Sequence, residues 1–143
     1  MYSGCRQRVA RREFDMSQKF GYIGAVLGGL SVAAGAFGAH SLKGIISADM
    51  LIVFETAVRY QMYHALALLI VSGMLKHVPE RGLRVAGWCF VAGIVLFSGS
   101  LYAVALTSVR WIGAITPLGG VAFLAGWMTL AWNLWQKGER EER

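Results

Sequence analysis

The 143-residue chain is 56% hydrophobic and 15% charged, with 18 glycines and a mean hydropathy of +0.51, a composition that excludes an ordinary soluble domain. Its formal charge of +6 does not point to nucleic acid, because the basic residues sit in tails and one loop and not among aromatics that could stack bases. In a membrane protein the same excess reads as topology and contact with anionic headgroups.

Residues 1–19 carry Arg6, Arg8, Arg11, Arg12 and Lys19 without apolar periodicity and read as a basic tail. Met16 stands just ahead of the first span, so residues 1–15 read as a start-site extension. Phe20–Ala39 is twenty residues without a charge, about 30 Å as a helix, the thickness of a bilayer core. Gly21, Gly24, Gly28 and Gly29, with Ala25, place small residues at four-residue spacing, which lets another backbone approach. Packing inside the bundle and homo-oligomerisation through this Gly-rich helix both use such a face. His40–Gly44 ends the helix, and Ser47 or Asp49 can cap the next.

The second span covers about 52–75. Its first half is mixed and its second half purely apolar. The turn at 76–82 contains Pro79, which cannot continue a helix. The third span, about 85–106, has no charge. The fourth, about 112–135, is either one helix kinked at Pro117 or a helix starting at Pro117 with Thr116 as its cap. Trp127, Trp132 and Trp135 lie toward its far end, where indole rings prefer the interface. Residues 136–143 form a charged tail. Cys5 and Cys89 fall at different depths and give no disulfide framework, and no metal-binding spacing is present.

With four spans, both tails and the 76–84 loop share one side. Eleven basic residues fall there, against Lys43 and Arg110 on the other. This bias puts both termini in the cytoplasm. The expected fold is an all-α antiparallel bundle of four transmembrane helices.

Four segments are distinctive: Gly35-Ala36-Phe37-Gly38-Ala39-His40-Ser41-Leu42, the run Phe54–Ala67, Phe97-Ser98-Gly99-Ser100-Leu101-Tyr102 and Ile115-Thr116-Pro117-Leu118-Gly119-Gly120. In this order they resemble the YgdD/YwdK-like family of small bacterial inner-membrane proteins, with animal relatives described as transmembrane protein 256. The resemblance covers about residues 17–135. It implies a four-helix membrane fold in the bacterial inner membrane and no activity, because the family is a domain of unknown function.

Ionisable groups inside an apolar helix are the default place to look for function. Glu55 and Arg59 are spaced to meet on one helix face, near the interface. His64 lies nine residues beyond Glu55, about 900° of rotation, and faces the opposite way. Tyr60, Gln61 and His64 share a face that could meet Ser98, Ser100 or Tyr102 from the third span, or Thr116 from the fourth. A structural hydrogen-bond network and a proton- or ligand-handling site both suit that face. His40 and His64 together suggest haem, but their depths differ by more than two turns, so no cofactor is expected.

There is no Ser/His/Asp order, no carboxylate pair within a span and no phosphate loop, so no enzyme is expected. Two functions follow as expectations: a non-enzymatic accessory or scaffold protein, or a protein handling a small solute, lipid or proton at the polar face around His64. Its expected partners are the bilayer and a membrane protein or a second copy, not nucleic acid.

Overall fold

A computed structural model describes residues 3–77 and 81–141, with side chains over 15–77 and 81–136. Residues 5–19 contain no glycine or proline and several good helix formers, so nothing there stops a helix. The basic segment is accordingly part of α1 (Ser3–Phe37), which runs unbroken into the first apolar span and closes in a π-helical turn, Gly38–Leu42. The segment expected to be a separate tail is therefore an extension of the first helix. Gly44 takes φ +90° in the following loop, a conformation that costs glycine nothing. Ser47 caps α2 (Ala48–Leu75), its hydroxyl accepting from the Met50 amide at 3.3 Å.

The third span is α3 (Arg81–Gly93), a π-helical turn Ile94–Ser98 and α4 (Gly99–Thr107). Ser108 ends it at φ 60°. A 3-10 turn, Arg110–Ile115, precedes α5 (Thr116–Glu141), so the last helix starts beside Pro117 and is not one kinked helix from 112. α5 carries on through most of the expected charged tail. Pro79 and the side chain of Cys5 lie outside the described residues. Cys89 is a free, half-buried thiol.

The fold is an all-α membrane bundle of four antiparallel helical spans. Among the described residues, Asp15–Leu42, Arg81–Thr107 and Arg110–Gln136 are long and apolar enough to cross a bilayer. α2, at 28 residues, is long enough too, and its Gln61, His64 and Ser72 are buried inside the bundle. It packs on α1 along one side and on α3 and α4 along the other, while α5 covers α3.

Small residues let α1 and α2 touch. A Cβ on Gly24 would sit 2.9 Å from the Ala65 carbonyl oxygen, so that approach needs glycine. At one end Ser17 and Ser72 bolt the pair reciprocally, each hydroxyl donating to the other's backbone carbonyl at 2.8 and 2.7 Å. Further along, Ser31 Oγ donates to the Val58 carbonyl at 2.8 Å. The Gly21, Gly24 and Gly28 face is therefore covered by α2, whereas Gly29 points into open space. The main core gathers Phe20, Leu68, Val71, Leu83, Phe90 and Phe123. Large apolar side chains such as Leu118, Val121, Leu124 and Met128 stay more than 60% exposed, as a lipid-facing surface requires.

Candidate functional site in the bundle

The polar face of α2 splits into two centres. Gln61, 6% exposed, points between α1 and the third span. Its Nε2 donates to the Leu27 carbonyl at 2.8 Å, and its Oε1 accepts from the Tyr102 hydroxyl at 3.0 Å. One amide thus ties three helices. Tyr102 itself packs edge-on to Phe54, with ring centroids 5.0 Å apart.

His64, 5% exposed, turns instead toward α3 and α5. Its Nδ1 lies 2.7 Å from the Tyr60 carbonyl oxygen, and its Nε2 lies 3.2 Å from Trp127 Nε1. A carbonyl can only accept and an indole N–H can only donate. The neutral tautomer with hydrogen on Nδ1 satisfies both partners at once, and an imidazolium would lose the second. The ring stacks on Phe123 at 3.4 Å and 7°, with Phe90 at 5.6 Å. Tyr60 continues the aromatic layer onto Phe97 at 4.6 Å.

The remaining expected site residues lie elsewhere. Ser100 and Thr116 bond to each other at 2.7 Å, joining the start of α5 to α4. Ser98 is 1% exposed and its hydroxyl has no partner. Neither serine reaches His64. Glu55 and Arg59 are exposed on the opposite face of α2 beside a cleft of about 300 Å³. They do not form the expected ion pair: Arg59 Nε donates to the Glu55 backbone carbonyl at 3.4 Å. Extended along the helix, the guanidinium meets a carbonyl one turn back, and neither charge is buried enough to demand the other. His40 is exposed in the π-helical turn, at the end of α1 and away from His64.

Beside His64, α2 and α5 leave a groove of about 680 Å³, walled by Tyr60, Tyr63, Phe97, Phe123 and Trp127 with Gly120 and Pro117 at its α5 end. Sequence reasoning missed this groove. Phe90, Phe97 and Phe123 look like any apolar residues of a span, and Trp127 reads as an interfacial anchor. The available signal was the spacing of Phe123 and Trp127, one helical turn apart on α5. The π-helical turn at 94–98 sets Phe97 against Gly119 and Gly120, and such turns often accompany functional sites.

The chemistry this arrangement supports is limited. Every polar atom of Gln61 and His64 that could meet a ligand is held by the protein, and no cluster of three metal-ligating side chains occurs among the described residues. A double-mutant cycle of Gln61→Leu and Tyr102→Phe should therefore return a coupling of about 0.6 kcal/mol, with about 1.7 as a ceiling. Unfolding in mixed micelles measures it; additive single effects would mean that the bond is not made.

Comparison with known proteins places these residues in company. The family model described as "Protein of unknown function (DUF423)" matches residues 34–120, a range that holds every site residue expected from sequence but not Trp127. A UPF0382 membrane protein of Staphylococcus haemolyticus is 49% identical over 108 residues, covering 76% of this chain and 88% of its own. The UPF0382 membrane protein YwdK of Bacillus subtilis is 49% identical over 109 residues, covering 76% and 89%. Another, from Staphylococcus aureus strain USA300, is 50% identical over 108 residues. No solved structure matches.

Proposed function

This chain belongs to the DUF423 family of membrane proteins, and for it we propose a non-enzymatic accessory role in which the groove between α2 and α5 receives an apolar helix of a partner protein. The observation that carries the reading is that each side-chain polar atom of Gln61 and of the groove's His64 already has a protein partner, so both residues are accounted for as struts of the bundle. Support also comes from the groove's walls. Tyr and Trp are the residues enriched where proteins meet, because they bring large contact area at small entropic cost. The groove opens sideways between two spans, where a partner's helix would lie. The charge bias of its loops supports an orientation with both termini in the cytoplasm, and the bacterial membrane-protein relatives support placement in the bacterial plasma membrane.

A second reading rests on the same cavity: about 680 Å³ of aromatic-walled space can hold a lipid chain. Photo-crosslinking separates the two. A photoreactive residue replacing Leu124 in the groove, at native expression level, should yield one discrete protein adduct. The same residue at Val32, exposed on α1, should not. Filling the groove with Gly120→Trp should abolish the adduct while the protein stays inserted. Lipid adducts from Leu124 alone would replace the accessory reading with the lipid one, and identical adducts from both positions would remove both.

A further inference from the structure

A second cavity, of about 770 Å³, lies between α1 and α3 at their charged ends, away from the His64 groove. Its rim is built from Lys19 on α1 and from Arg81 and Arg84 on α3, with Asp15 as the acidic side chain among the described lining residues. Below the rim the wall becomes apolar along one face of α3, through Val85, Trp88, Cys89 and Ala92. Trp88 stands as a side wall, half exposed and edge-on to the buried Phe20 at 5.5 Å.

We propose that this cleft binds one anionic phospholipid, with its phosphate on Lys19 and Arg81 and an acyl chain along Trp88, Cys89 and Ala92. Two independent features match that ligand. Among the described lining residues, the exposed Lys19 and Arg81 outnumber the one carboxylate, Asp15, which suits a headgroup of net negative charge better than a zwitterion. From Arg81 to Ala92 the wall descends eleven residues, about 16 Å of helix, close to the hydrocarbon depth of one leaflet. Arginine suits the phosphate because its fork donates two parallel hydrogen bonds to phosphate oxygens. Asp15 is placed to accept from a hydroxyl on the headgroup, which phosphatidylglycerol carries and phosphatidylcholine lacks.

The inference stands apart from the groove at His64, and the two can fail separately. The test is native mass spectrometry of the full chain, delipidated in detergent and titrated with phosphatidylglycerol or phosphatidylcholine of identical chains. One phosphatidylglycerol should be retained per chain, at least about tenfold more tightly than phosphatidylcholine. The Lys19→Gln, Arg81→Gln double variant alters exposed side chains, so it should fold. It should weaken phosphatidylglycerol by about thirtyfold and leave phosphatidylcholine unchanged. Ala92→Trp, which keeps every charge, should also reduce retention by obstructing the chain path. Lys43→Gln with Arg110→Gln, at the opposite ends of the helices, should have no effect. Equal retention of the two lipids, or an equal loss in the Lys43 and Arg110 control, would overturn the site.

Discussion

Gly119→Leu is expected to destabilise the bundle by about 3 kcal/mol, the upper part of the range for overpacking. A Cβ at position 119 would run into the backbone nitrogen of Phe97 in the π-helical turn. A side chain in the way could change rotamer. A backbone cannot, so α5 must move off the third span, and with it Phe123 and Trp127. Gly29→Leu is the control, because nothing lies within 4 Å of a Cβ there. Chemical unfolding in mixed micelles, followed by tryptophan fluorescence, should show a large shift of midpoint for the first variant and little for the second. Equal midpoints would mean that α5 does not approach Phe97 so closely.

Removing a ring from the centre should cost nearly as much. Phe90 is fully buried, packs edge-on to Trp127 at 5.1 Å, and fills the space that Gly126 leaves open. Phe→Ala in such a place typically costs about 3–5 kcal/mol. Lipid is itself apolar, so little of this loss is transfer from water; most of it is lost packing against fixed neighbours. The expected value is therefore about 3 kcal/mol, at the low end. Val95→Ala on the lipid-facing side, 65% exposed, should stay within about 0.5 kcal/mol. If Phe90→Ala is as mild as Val95→Ala, the aromatic layer beneath His64 is not a packed core.

These two experiments probe what the amino-acid order could not convey. Residue by residue, the sequence does determine that the chain enters a membrane, how many times, and which ends share a side. Those are properties of composition along a line, where each charge or apolar run acts through its own transfer energy. The glycine stripe of α1 was legible as a close-packing face for the same reason: small side chains permit approach whatever the partner. The rotation of α2 was legible too, since 100° per residue puts Glu55 and His64 on opposite faces.

Partner choice is another matter. That Gln61 would find Tyr102 depends on how α4 docks on α2, and that His64 would find Trp127 depends on how α5 docks on the third span, where Gly119 meets Phe97. Ser17 and Ser72, unremarkable in the chain, became a reciprocal bolt because Gly21 and Gly24 brought their backbones together. The expected Glu55–Arg59 pair failed because spacing fixes which side chains are neighbours, but an exposed guanidinium can take a carbonyl instead. Helix formation and insertion are local and additive, so they can be read along one strand of text. Interhelical hydrogen bonds and grooves need residues 16 to 63 positions apart, and only the packed bundle sets those distances.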